Sequence, residues 1–169
     1  MMISGRNDIP KLLKKYNCTI GVELGVSEGR YSKHLLKNHN FDAFYSIDSW
    51  NSRSHGIEEY IAAYTSLKKY DNTHIYRATF EEILPIFPDE YFDFIYIDGY
   101  AHLGNESTIE QWYTKLKPGG IYSGHDYDKK YSLTKKNIDK LCCTYNLKLN
   151  TTEVRPKVVD RYASWWVIK

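Results

Sequence analysis

Little in this sequence supports a cross-linked, membrane-spanning or polyanion-binding protein. Only three cysteines occur in 169 residues, Cys18, Cys142 and Cys143. Their number is odd and two are adjacent. Cys-x-x-Cys and zinc-ligand spacing are both absent, so neither a disulfide framework nor a zinc site is indicated, and buried reduced thiols are the plain reading. An excess of one charge is also missing: 23 Lys+Arg against 21 Asp+Glu leave +2, which argues against nucleic acid as the main partner. No apolar run approaches the ~20 residues of a membrane span. The first eight residues lack the apolar core of a signal peptide. The expectation is a cytoplasmic protein with no membrane partner. Internal repeats, low-complexity tracts and Pro/Gly/Ser linkers are absent too. What remains is 42% hydrophobic and 26% charged, the composition of one globular domain able to bury its own core.

Short apolar runs alternate with helical periods, which is the pattern of strand–helix–strand units around a parallel sheet. Strands are predicted at 19–24, 43–47, 73–78, 92–97 and 121–123. Helices are predicted on Tyr31, Leu35 and Leu36, on the stripe Ile57, Tyr60, Ile61, Tyr64 and Leu67, on Ile109, Trp112, Tyr113 and Leu116, and on Ile138, Leu141, Cys142 and Tyr145. Thr79 caps a short helix with Glu81 and Glu82 in its first turn. Two last strands, 147–153 and 163–168, are joined by too few residues for a parallel crossover and should pair antiparallel. Residues 1–17 form a helical lead-in, and 18–169 the α/β domain.

In an open α/β sheet, ligands bind beyond the carboxyl ends of the strands. Those ends here are Glu23 to Gly29, Asp48-Ser49-Trp50, Thr79, Asp98 to His102, and His125-Asp126. Four of the five bring carboxylates to one edge, and gathered like charges call for a cationic answer. Gly25 and Gly29 permit a tight turn at a helix N-terminus. Ser27 stands where a dinucleotide fingerprint needs glycine, and no Gly-Lys-Ser/Thr occurs, so a P-loop is excluded. Glu23 repels pyrophosphate and suits an amine or a sulfonium; S-adenosylmethionine carries both. Asp48, placed to accept ribose hydroxyls, is compatible with nicotinamide and adenosylmethionine sites alike. Trp50 could cover an adenine face.

Five segments in order resemble the class I S-adenosylmethionine-dependent methyltransferases: Val-Glu-Leu-Gly-Val-Ser-Glu-Gly (22–29), Ser-Ile-Asp-Ser (46–49), Phe-Asp-Phe-Ile-Tyr-Ile-Asp-Gly (92–99), Leu-Lys-Pro-Gly-Gly (116–120) and Gly-His-Asp-Tyr (124–127). Within that class the chain is similar to the small single-domain branch acting on small molecules and sugars. The resemblance implies a Rossmann-like seven-stranded sheet ordered 3-2-1-4-5-7-6 with strand seven antiparallel. It implies a cofactor site of Glu23, Gly25, Ser27, Gly29, Asp48, Ser49, Trp50, Thr79 and Asp98. Acceptor recognition falls to loops 49–56, 99–106 and 125–133, with Trp50, Tyr100, Tyr127 and Tyr131 as candidate lining, or to a second subunit in a homo-oligomer.

Methyl transfer from a sulfonium to a hydroxyl requires alignment and removal of a proton. His102 and His125 are candidate bases, with Asp98 beside them. Asp98, His125 and Asp126 also make a hard donor set for magnesium or another divalent cation, which would lower a hydroxyl pKa. The reading is O-methylation of a small-molecule or sugar hydroxyl. The alternatives are a non-catalytic S-adenosylmethionine-binding or regulatory subunit, an RNA methyltransferase using Lys129, Lys130, Lys135 and Lys136, and an NAD-dependent dehydrogenase.

Overall fold

Strands β1 (Ile20–Leu24), β2 (Ala43–Asp48), β3 (Thr73–Arg77), β4 (Phe92–Ile97) and β5 (Leu116–Gly124) pair in parallel in the order β3-β2-β1-β4-β5. This is the computed structural model of the chain, describing residues 3–99, 106–153 and 161–169. Strand β7 (Trp165–Ile168) lies antiparallel to β5, and the two-residue β6 (Asn150–Thr151) pairs with β7, so the full order is 3-2-1-4-5-7-6. The predicted topology is the observed one.

Helices cover both faces, which is why the parallel strands are apolar on both sides. On one face lie α1 (Ile9–Lys15), α2 (Arg30–Asn38) and α3 (Ile57–Leu67), and Leu13, Leu35 and Leu67 pack there with Phe44 and Phe94. On the other lie α4 (Phe80–Ile83), α5 (Glu106–Thr114) and α6 (Ser132–Thr144), where Trp112, Ile138 and Leu141 pack with Ile95 and Tyr122. Each such fully buried side chain contributes about 1.5–3 kcal/mol over leaving it exposed. Thr79 caps α4 with a full capping box: its hydroxyl accepts from the Glu82 N–H, and the Glu82 carboxylate accepts from the Thr79 N–H.

Four expectations change. Leu116 starts β5 rather than ending a helix, because Leu116 pairs with Phe92 before a bulge over 117–120 resets the register at Phe94 and Ile121. The predicted strand 147–153 contracts to Asn150–Thr151. The apolar stripe read on α3 is divided: Leu67 is buried and Tyr60 packs against the core beside Ala63, whereas Ile57, Ile61 and Tyr64 are exposed. Of the three thiols, only Cys18 is buried, which pushes its pKa up to about 12; Cys142 is half-buried and Cys143 exposed, all three free.

Candidate active site at the carboxyl edge of the sheet

The order of strands reverses between β1 and β4, and the backbone ladder runs on past the strand ends there. Gly25 N–H donates to the Ile47 carbonyl (2.9 Å), Asp98 N–H to the Leu24 carbonyl (2.8 Å), and His125 N–H to the Ile97 carbonyl (3.0 Å). The candidate side chains therefore stand on rigid extensions of the sheet. Gly25 must be glycine: its φ is +90°, and a Cβ would lie 2.3 Å from the Asp98 carbonyl oxygen. This close approach brings the first loop and the end of β4 together around a cavity of about 670 Å³.

Glu23, Gly25, Ser27, Asp48, Ser49 and Asp98 line that cavity, and so does Asp126. Glu23 is buried. Burial pushes its pKa up to about 8, while the Ser32 hydroxyl, which donates to it, works in the opposite direction. Asp48 holds the loop as well as facing the cavity. Its Oδ2 accepts the N–H groups of Val26 (2.9 Å) and Ser27 (3.0 Å), and its Oδ1 accepts that of Trp50 (3.1 Å). Ser27, at φ +51°, donates its hydroxyl to Glu59 of α3 (3.0 Å).

Three sequence candidates stand elsewhere. Trp50 is 1% exposed: its indole N–H donates to the Ser27 carbonyl (2.9 Å) and its ring meets Tyr60 edge-on. Its left-handed φ of 43° turns it inward, so it supports the loop instead of offering a face to a ligand. Gly29 packs α2 against α3, where a Cβ would press on Leu67 and Ala63. The Thr79 side chain is taken up by its cap, and Phe80 beside it lines the cavity. His102 and Tyr100 lie outside the described residues.

Arg6 is the main residue that sequence reasoning missed. Its guanidinium reaches the cavity, pairs with Asp98 Oδ2 at 3.1 Å and lies over the Tyr31 ring. The Tyr31 hydroxyl fixes this turn by donating to the Arg6 carbonyl (2.9 Å). No local pattern announces a contact spanning 92 residues.

At the far side of Asp98 stand His125 and Asp126, and donor atoms of all three lie within 4.8 Å of one another. His125 Nδ1 is 2.9 Å from Asp126 Oδ1 and 3.9 Å from Asp98 Oδ1. Nε2 is buried with no hydrogen-bond partner among the described residues. Asp126 sits at φ +60°, a conformation that turns its carboxylate toward this group. Burial raises the Asp98 pKa, and the neighbouring Asp126 adds to this, against the opposing pull of His125 and Arg6. Tyr162 lies edge-on to His125 at 6.5 Å and to Tyr131 at 4.8 Å; its hydroxyl accepts from Lys130 Nζ (2.8 Å). Tyr127 instead donates to Asp139 on α6.

The arrangement combines an acid-lined cavity with a carboxylate–imidazole–carboxylate group at one end. The cavity suits a ligand with cationic groups and ribose hydroxyls. The donor types and the 2.9 Å spacing suit a hard divalent ion, whose ligands sit about 2.1 Å away; one oxygen of Asp98 is already engaged by Arg6.

Residues 18–127 match a family described as Methyltransferase domain. No curated protein matches the sequence significantly. Among solved structures, an O-methyltransferase from Bacillus cereus in complex with SAH is 15% identical, with a TM-score of 0.73 over 96% of this chain and 80% of that one. The O-methyltransferase of tomaymycin synthesis from Streptomyces achromogenes, in complex with SAM, is 14% identical, with a TM-score of 0.75 over 96% and 78%. Spermidine synthase from Thermotoga maritima is 15% identical, with a TM-score of 0.68 over 98% of this chain and 60% of its own. At such identities the likeness is one of fold.

Proposed function

The chain belongs to the class I S-adenosylmethionine-dependent methyltransferases, and from that premise we propose that it is an O-methyltransferase acting on a small-molecule or sugar hydroxyl. One observation carries the reading: the acid-lined cavity at the β1–β4 switch point ends at the Asp98–His125–Asp126 group. Glu23 answers the positive charge of the donor, Asp48 accepts ribose hydroxyls, and Phe80 offers an apolar surface to the base. Arg6, the guanidinium beside Asp98, is placed to take the carboxylate of the amino-acid part.

In the transfer, the S–CH3 bond breaks as the O–CH3 bond forms in line. The sulfur keeps the electron pair and becomes the neutral thioether of S-adenosylhomocysteine. The hydroxyl proton passes to the Asp98–His125–Asp126 group, where an imidazolium is countered by two carboxylates. His102 is the second candidate base. A divalent cation held by Asp98, His125 and Asp126 would supply a lowered hydroxyl pKa. Tyr162, edge-on to His125 and backed by Tyr131, is the candidate acceptor wall, with Lys130 Nζ over both rings, an aromatic surface with a polar rim that suits a phenol or a sugar ring.

The test is product formation from S-adenosylmethionine with panels of phenolic and sugar acceptors, with and without EDTA. A methylated product whose yield falls at least a hundredfold in His125→Ala or in His102→Ala supports the reading. Cofactor binding with no product from any hydroxyl acceptor would leave a non-catalytic binding protein. Activity unchanged in both variants would remove histidine as the base, and an effect of EDTA decides the metal.

A further inference from the structure

We infer that the outward face of α3 is the contact between two copies of this chain, packed antiparallel about a two-fold axis. Ile57, Ile61 and Tyr64 are 50%, 57% and 46% exposed and follow the i, i+4, i+7 stripe of a helix. The other large exposed hydrophobics among the described residues, Tyr16, Ile86, Leu133 and Tyr145, are scattered over separate segments. Single exposed apolar residues are ordinary, but an aligned set on one helix marks a contact surface. The helix does not need this stripe for its own domain, since Ala63 and Leu67 already seat it on the sheet.

The charges beside the stripe select the occupant. Glu58, Ala62, Thr65 and Lys69 run along one flank of α3 and its C-terminal turn, all exposed. Glu58 has no ion-pair partner among the described residues, and Lys69 only overlies the Tyr70 ring. A second α3 laid parallel would set acid against acid and lysine against lysine. Laid antiparallel, it sets Glu58 of each copy against Lys69 of the other, with the small Ala62 and Thr65 between them to allow close approach. The surface is thus complementary to itself under a two-fold rotation, which is the condition for a closed dimer. Eleven residues make a helix of about 16 Å. That supplies only part of the ~800 Å² per partner of a standard interface, so the dimer is weak and exchanges with monomer. The contact also adjoins the candidate site: Glu59, on the inner side of the same turn, accepts from the Ser27 hydroxyl and pairs with His55 Nδ1 at 2.9 Å.

Sedimentation velocity across a concentration series, on the ligand-free full chain, tests this. The wild type should shift from monomer to dimer with rising concentration. Ile61→Glu should stay monomeric with an unchanged circular-dichroism melt, since the side chain is exposed. Glu58→Lys and Lys69→Glu should each weaken association about fivefold or more, and the double swap should restore it. A wild type that remains monomeric, a dimer indifferent to Ile61→Glu, or a double swap that fails to rescue overturns the proposal. None of these readings depends on the methyltransferase assignment.

Discussion

Asp93, near the start of β4, and Asp98, one residue past its end, stand on a single strand at opposite edges of the sheet. Asp93 is saturated with donors. Its Oδ2 accepts the N–H groups of Thr19 (2.9 Å) and Ile20 (2.8 Å), and Lys117 Nζ meets its Oδ1 at 2.6 Å. Burial pushes its pKa up, but Lys117 and the two N–H groups outweigh it and hold the carboxyl below its usual range. Asp98 has Arg6 on one side and His125 with a second acid on the other, and burial leaves its pKa raised. The first aspartate locks β1 to β4 and to the bulge of β5. The second is left partly unanswered, facing a cavity. A group whose electrostatics are incomplete without a ligand is a candidate for chemistry; one fully answered is scaffold.

The largest effect should come from breaking the incomplete side. Asp98→Asn and His125→Ala are expected to lower methyl transfer about 10²- to 10⁴-fold, the range for loss of acid–base or charge-stabilising groups. The melting temperature of Asp98→Asn should stay near or above that of the wild type, because a raised carboxyl pKa marks a cost to the folded state. That of His125→Ala should fall, since it removes the buried imidazole that offsets this cost. Single-turnover release of S-adenosylhomocysteine, read beside thermal melts, separates the two consequences. The converse change is Asp93→Asn. It should cost about 1–3 kcal/mol in urea unfolding, as charge-assisted hydrogen bonds are lost, with cofactor affinity nearly unchanged.

The same contrast predicts opposite pH signatures. Asp93, depressed in the fold, contributes stability that is present above the ordinary Asp value near 3.8 and is lost as pH falls through its folded value. Glu23, raised by burial to about 8 from 4.5, works the other way. Its contribution is present below 4.5 and is lost as pH rises through that window, because the folded state holds the proton longer. Urea unfolding from pH 5 to 8 should therefore show a loss of stability that Glu23→Gln flattens. An unchanged slope in that variant would assign the pH dependence to other groups.

Most of the frame was legible because buried parallel strands are written as short apolar runs, each closed by the residues that matter. Leu24-Gly25, Ile47-Asp48 and Ile97-Asp98 mark the strand ends and the cavity wall at once. The Thr79–Glu82 spacing revealed a capping box that the structure carries in full. What escaped depended on direction rather than on residue type. Trp50 turns inward through a left-handed backbone, which composition cannot disclose. The stripe on α3 has the right period, but periodicity does not say which of two apolar faces meets the sheet; small Ala63 seats there while Ile61 looks out. Arg6 joins Asp98 from the far end of the chain, and only tertiary packing brings the two together. The bulge at 117–120 arises from strand pairing on both sides of it, so a turn-like Lys-Pro-Gly-Gly became part of a strand.

Calorimetric titration of the ligand-free protein with S-adenosylmethionine near pH 7, in two buffers of different ionisation enthalpy, bears most directly on the role given to the acid-lined cavity. A cation settling beside Glu23 should drive a proton from that buried carboxyl. The predicted result is saturable binding with proton release that disappears in Glu23→Gln, and at least a tenfold loss of affinity in Asp48→Ala. Absence of binding by the wild type, or equal affinity and equal proton exchange in all three proteins, would contradict it.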